Sequence, residues 1–373
     1  MAAAADAGCV FPEDIMASIL TRLPVKPLAR FKSVCKPWLR LLSSPQFIKS
    51  HHAHLFSDPK NESFLLHIPT SNSISLLNLH RTPKTPAAIR HPFSHTESPF
   101  YIIGSCHGLI CLVSGRKIFL WNPALGLSKE IPPPEDCGPD RRASLGFGYS
   151  SSSADFKVVR LVGMRSPCPT DGLIILWANL YSANSDSWTR VELDLPFLMV
   201  WEPVCNVIVG GCPYWSTEGN GNGMGWFDVN DTVFKKLSSI DLPNKGSGIK
   251  FFDMDGRLGA LVYDSFVYKE LDELLHVWSY DDVDGKWRKM QSFRRPVNVA
   301  RQLSRNGRIV AVNRDVSLRD GMMIVSIKPG SRLFVYDPVT EGLEYVSYAY
   351  PTTTNSLCSY TESLAYVEGM KPM

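Results

Sequence analysis

The chain has 373 residues, 44% of them hydrophobic and 20% charged, which is ample material for a large core and excludes a disordered chain. At roughly 100–200 residues per domain, this length predicts two or three domains, or one small and one large. A net charge of +3 gives no global case for binding nucleic acid. No stretch reaches the roughly 18 apolar residues that a membrane span needs; the nearest, "PFLMVWEPVCNVIVGG", is cut by Glu202 and Pro203.

Residues 1–10, "MAAAADAGCV", have neither the basic start nor the long apolar run of a secretory signal and read as a disordered N-terminus. Nine cysteines, an odd number spread along the chain, predict reduced thiols and a place in the cytoplasm or nucleus.

Residues 11–57 predict a small helical module. In "FPEDIMASILTRLP", Pro12 suits the first helical position, and Glu13 and Asp14 complement the positive end of the helix dipole. Ile15, Ile19, Leu20 and Leu23 share one helical stripe, which Pro24 ends. "VKPLARFKSVCK" restarts a helix with Leu28, Phe31, Val34 and Cys35 on one face. Pro37 opens a third helix with Trp38, Leu41 and Leu42 inward, and "FIKSHHAHLF" follows Pro45 as a fourth.

From Ile15 to Ser57 there are seven Lys and Arg residues and no Asp or Glu, whereas residues 58–373 carry 32 basic and 33 acidic residues. The positive excess is therefore confined to the helices, which fits an acidic protein surface. A module this small buries little apolar surface alone, so Leu20, Leu23, Pro24, Val25 and Leu28 read as surplus to its core and available for docking. Two rival readings are a cap on the following domain and a helix-turn-helix on DNA. Against the second, the breaks at Pro24 and Pro37 leave no Gly-type turn, and "LLSSPQF" is a poor set for reading base edges.

Residues 58–373 change character. Apolar runs shorten to four to eight residues between Gly, Asn-Gly, Asp-Gly and Pro clusters, the signature of strands and turns; "VYKELDELLHVW" alternates poorly and reads as the approach to a strand. Two elements recur in fixed order. One is a turn glycine before an apolar strand, at Gly108, Gly211, Gly256 and Gly307, with "DFKVVRLV" around Phe156 filling the remaining slot at steps of 45 to 55 residues. The other is strand, polar turn, strand, marked by Asn122, Ser182, Asp228, Asp281 and Asp337 at steps of 46 to 60 residues. Each marker can start a turn by bonding the backbone two residues on. Five repeats of about fifty residues give a propeller blade period. Strands in "SFLLHIPTSNSISLLNL" and "CSYTESLAYVEG" are left over from opposite ends, and pairing them completes a sixth blade without open edges. The predicted fold is a small all-α module followed by an all-β propeller, six blades favoured over seven.

The chemical motifs read as structural. Cys106 and Cys111 in "GSCHGLICL" are an odd number apart and, on one strand, face opposite sides; the same holds for Cys205 and Cys212. His51 and His54 share a face of a solvated helix end. "GNGNGMG" precedes a strand rather than a helix, so the phosphate-cradle logic is missing. "DELL" and "DDVDG" have no placed partner acids. No catalytic residue, metal site or cofactor is expected. The long segments "MRSPCPTDG", "STEGNGNGMGW", "DSFVYKELDE" and "NRDVSLRDGM" are candidate ligand-binding loops, with no substrate residue assignable.

"FPEDIMASILTRLPVKPLARFKSVCKPWLRLLSSPQFIKSH" closely resembles an F-box. "GSCHGLICL", "WNPALGLSKEIPPP", "ADFKVVRLV", "LYSANSDSWTRVELDLP", "GGCPYWST" and "YTESLAYVEG" resemble the kelch-like F-box-associated domain of plant F-box proteins. The kelch pattern of a double glycine before Tyr and Trp occurs once, at Gly210, Gly211, Tyr214 and Trp215, which favours this type over an orthodox kelch array. The resemblance implies a substrate receptor of a Skp–cullin–F-box ubiquitin ligase that does no bond chemistry itself. Pro12, Ile15, Leu20, Leu23, Pro24, Val25, Leu28, Val34 and Trp38 would form or support the face for the Skp-type adaptor, and through it the cullin; the propeller would hold a protein target. The alternatives are a propeller enzyme or glycan-binding lectin with a helical cap, and an F-box scaffold acting outside a ligase.

Overall fold

A computed structural model of the chain describes residues 12–68, 73–78, 87–93, 99–134, 142–165, 172–200, 202–217, 223–242, 247–254, 256–264, 274–294, 311–312, 323–326, 332–337, 342–348 and 357–373. The expected N-terminal disorder and most of the four candidate loops lie outside the described residues.

The four expected helices are α1 (Glu13–Thr21), α2 (Val25–Phe31), α3 (Lys36–Ser43) and α4 (Pro45–Ser57). Prolines set their starts: Pro12 and Pro24 cap α1 and α2, and Pro37 and Pro45 lie in the first turns of α3 and α4. A proline there sacrifices an N–H that has no helical partner in any case. Ser44 caps α4, its hydroxyl accepting from the Phe47 N–H at 3.2 Å.

Leu20, Val25, Leu28, Leu42 and Phe47 make the helical core together with Leu364 from the far end of the chain, and Ala124 and Leu125 pack at its edge. The expectation that Leu20, Val25 and Leu28 are surplus is therefore overturned. The β-region supplies the apolar cover that so few helical residues cannot give one another.

The β-region opens with β1 (Glu62–Ile68), β2 (Ser73–Leu77) and β3 (Ala87–Ile89). Five four-stranded antiparallel groups follow. The first is β4 (Tyr101–Cys106), β5 (Leu109–Ser114), β6 (Lys117–Asn122) and β7 (Leu127–Ile131). The second is β8 (Arg142–Ser150), β9 (Asp155–Arg165), β10 (Gly172–Ser182) and β11 (Ser187–Val200). The third is β12 (Val207–Val209), β13 (Cys212–Thr217), β14 (Gly223–Asp228) and β15 (Val233–Lys236). The fourth is β16 (Ser247–Met254), β17 (Arg257–Asp264), β18 (Leu274–Asp281) and β19 (Lys286–Arg294). The fifth is β20 (Ala311–Val312), β21 (Met323–Ser326), β22 (Arg332–Asp337) and β23 (Gly342–Tyr348); β24 (Leu357–Thr361) and β25 (Lys371–Pro372) end the chain.

Strands within a group pair with their sequence neighbours, and the second and third groups meet in one sheet where Met199 pairs with Thr217. β24 pairs antiparallel with β1, Phe64 opposite Ser359, so the two leftover segments do share a sheet. β25 extends the first group beside β7.

The recurring turns explain the repeat. Asp228 Oδ1 accepts from the Asn230 N–H at 3.0 Å, Asp281 Oδ1 from Val283 at 3.0 Å, and Asn122 Oδ1 from Leu125 at 3.1 Å, the local bonding that makes Asx residues turn formers. An aromatic residue precedes each marker. Trp121, Tyr181, Phe227, Tyr280 and Tyr336 lie in register opposite Ser128, Trp188, Phe234, Trp287 and Leu343.

The other turn type needs its glycine. Gly108 has φ +78°, and a Cβ there would lie 2.2 Å from the Ser363 Cβ. Ser363 is held by Asn122, whose Nδ2 donates to the carbonyls of Ser363 at 3.0 Å and Ala365 at 2.8 Å. One buried amide thus starts a turn and pins the C-terminal segment that carries Leu364 into the helices.

Candidate functional site

The helices present a mixed apolar and basic surface. On α1, Ile15 and Ile19 lie one turn apart and are 49% and 50% exposed. Val34 is 62% exposed and Leu39 47%, and Pro12 and Pro24 are also exposed. Leu23 and Trp38 are half-buried, Trp38 with its ring centroid 5.1 Å from that of Phe31. Leu20, Val25 and Leu28 lie beneath this surface. Arg22, Lys26, Arg30, Lys36 and Arg40 of the same helices are exposed; Lys32 is half-buried, and burial lowers its pKa. The nine residues singled out from the sequence thus divide into an outer set and a supporting layer. Ile19 and Leu39 belong to the outer set and were not among the nine. The spacing of Ile15 and Ile19 is the signal for the first; Leu39 has none, sitting between Trp38 and the inward Leu41.

A second feature is a cavity of about 530 Å³ where α4 faces the β-region. Lys49, His52, Ala53 and Phe56 line it from α4, and Ile102, Ile103, Val207 and Ile208 from β4 and β12. His52 and His107 both border it and touch one another, their ring centroids 4.9 Å apart, and the Tyr149 ring centroid lies 4.3 Å from that of His107. Burial, and then the positive charge of Lys49, lower the His107 pKa, so a neutral imidazole is favoured there.

The thiols are placed differently from the sequence expectation. Cys106 ends β4 and Cys111 lies in β5, because His107 and Gly108, both with positive φ, fold the chain back between them. Both thiols are buried in one apolar cluster rather than facing opposite sides. Cys205 and Cys212 flank the Gly210–Gly211 turn and also share a cluster. Burial pushes Cys106 up to about 12 and Cys212 to about 11, so these remain protonated thiols. Among the described residues no group of three or more His, Cys, Asp or Glu is placed to hold a metal ion.

His51 is not at a solvated helix end: it is fully buried, its Nε2 2.8 Å from the Leu23 carbonyl, while His54 is exposed. "DDVDG" forms the β18–β19 turn as expected. The glycines of "GNGNGMG" before Gly223 and the acids of "DELL" lie outside the described residues.

Comparison with known proteins agrees with this layout. Residues 9–50 match the F-box domain, and residues 70–367 match the F-box associated beta propeller domain. The chain is 26% identical over 296 residues to the F-box/kelch-repeat protein At3g23880 of Arabidopsis thaliana, covering 72% of this chain and 78% of that one. It is 27% identical over 325 residues to the putative F-box protein At4g38870 of the same plant, covering 82% and 72%. With F-box protein At3g07870, also from Arabidopsis thaliana, it shares 30% identity over 161 residues, 41% of this chain and 38% of the relative's length.

Proposed function

Because the chain belongs to the F-box proteins that carry an F-box associated beta propeller domain, we propose that it is the substrate receptor of a Skp–cullin–F-box ubiquitin ligase. The helices dock on a Skp-type adaptor and the β-domain recruits a protein target, in the cytoplasm or nucleus. No bond chemistry is assigned to the chain. It raises ubiquitin transfer by holding a target lysine near the charged conjugating enzyme, an effect of effective concentration. We read the β-domain as six blades: the five four-stranded groups, and a sixth in which β24 joins β1, β2 and β3.

The observation that carries the docking reading is the surface of Ile15, Ile19, Val34 and Leu39, exposed on a module with no acidic residue between Ile15 and Ser57. An acidic adaptor would cover the apolar centre while the surrounding lysines and arginines meet its carboxylates. Leu20, Val25 and Leu28 then act indirectly, by holding α1 and α2 in place.

The test pairs an outer change with an inner one. Ile15→Asp with Ile19→Asp should leave the circular dichroism spectrum and melting temperature near those of the parent. Adaptor affinity should fall by at least about thirtyfold, since truncating one central anchor commonly costs about 2 kcal/mol. Leu20→Ala should instead lower the melting temperature. Undiminished adaptor binding by a folded Ile15/Ile19 double variant would overturn this assignment of the docking face.

A further inference from the structure

The buried stripe of α2 ends on a charge. Val25, Leu28 and Lys32 fall at i, i+3 and i+7, the spacing of one helical face, and the first two are fully buried in the helical core. Lys32 is the C-cap of the helix and is half-buried, whereas Arg30 before it and Lys36 after it are exposed. An aliphatic stem can follow such a stripe while its ammonium reaches the border of the core. Phe31 precedes Lys32, packed at the edge of the core with its ring against Trp38, and the exposed Val34 follows two residues later. Lys32 therefore stands where the core gives way to the proposed docking face.

A sheltered cation is costly without a counter-charge, and the rest of the chain follows that rule. Lys129, Lys157 and Lys235 are also half-buried, and each meets a carboxylate of the chain: Asp186 at 3.0 Å, Asp155 at 2.6 Å and Asp228 at 2.7 Å. The helices offer Lys32 no such partner. No Asp or Glu occurs between Ile15 and Ser57, and burial alone acts on the Lys32 pKa, lowering it, with no carboxylate near enough to raise it.

We propose that Lys32 is a specificity-determining residue of the docking face, held for a carboxylate that the Skp-type adaptor supplies. The inference rests on the receptor reading and sharpens it. Exposed basic residues draw in an acidic surface from a distance, whereas Lys32 asks for a carboxylate at one point, beside the apolar contacts. That ion pair completes what the free chain lacks, and salt screens it little once the face is covered.

Lys32→Met keeps an unbranched stem and removes the charge. If Lys32 served only the packing of the helices or the α2 dipole, which favours a cation at this end, the variant would melt below the parent. A cation held for a partner predicts opposite signs in two measurements on the full chain. The melting temperature should rise, and the affinity for a purified plant Skp-type adaptor, measured by titration calorimetry, should fall at least about tenfold. Lys26→Met, at an exposed position of the same helix, should lower the affinity by less than about fivefold. That smaller loss should shrink in about 0.5 M salt, while the Lys32→Met loss persists. A folded Lys32→Met variant that melts below the parent, or that binds the adaptor as tightly as the parent, would overturn the assignment and leave the receptor reading standing. A parent chain that binds no adaptor would overturn the receptor reading itself, and this assignment with it.

Discussion

His67 lies 4% exposed, with its ring centroid 4.1 Å from that of Phe100, and its Nε2 has no hydrogen-bond partner among the described residues. Burial, and then the neighbouring His91, lower its pKa to about 4. An unfolded histidine titrates near 6.5, so the unfolded chain takes up the proton first as the pH falls. The stabilisation is complete above about 6.5, declines as the pH drops toward 4, and amounts to about 3 kcal/mol over that window. His51 and His107, also lowered chiefly by burial, act in the same direction. Urea midpoints measured from pH 7 to 4 should therefore fall faster for the parent than for His67→Gln; parallel slopes would refute the assignment. Nothing local in "FLLHIP" distinguishes this histidine from a surface one, because Phe100 and His91 arrive from elsewhere in the chain. Asn122 shows the same limit. Its turn-starting role was legible from the next few residues, but its hold on Ser363 spans 241 positions and was not.

At the level of elements, the helix starts were readable because proline acts on its own backbone, whatever the tertiary surroundings. Burial was not readable in the same way. Leu20, Val25 and Leu28 appeared excess only while the helices were counted alone, and Leu364 completes their core from outside the module. The thiols carry the same lesson, since a two-residue turn at His107–Gly108 changed which strand each one joins. Leu364 is fully buried and held in a segment whose backbone Asn122 fixes on both sides, so the site cannot easily collapse around a smaller residue. Leu364→Ala should cost about 3 kcal/mol, within the usual range for a buried leucine. The loss should be concentrated in the helices. Amide exchange in α1 and α2 should accelerate by more than that in β5 or β13, as expected where the weakened contact belongs to one cooperative unit. Equal acceleration throughout the chain would show that the helices have no such separate dependence on Leu364.

Across the whole molecule, the fifty-residue period predicted the four-stranded groups and the pairing of the two ends, because turn chemistry repeats locally and strands left unpaired at both termini need a partner. It did not reveal how neighbouring groups are fastened. Trp188, the second residue of β11, donates its indole N–H to the Pro132 carbonyl just beyond β7 at 2.6 Å. Trp287, the second residue of β19, donates to the Ser238 carbonyl just beyond β15 at 2.8 Å. Both stand opposite a tyrosine of the preceding strand, with ring centroids 5.4 Å apart for Tyr181 and Trp188 and 5.3 Å for Tyr280 and Trp287. The tyrosine orients the indole and the indole reaches back to the group before its own. Replacing either tryptophan with phenylalanine keeps most of the packing and removes one hydrogen bond, which should cost about 1 kcal/mol. The two bonds join different pairs of groups and share no partner, so the double variant should lose about 2 kcal/mol, the sum of the single losses. Unfolding followed by tryptophan fluorescence and by circular dichroism should still give coincident single transitions if the strands from both chain ends bind the groups into one cooperative body. Separate transitions in the double variant would mean that the indole bonds, rather than the pairing of β1 with β24, hold neighbouring groups together.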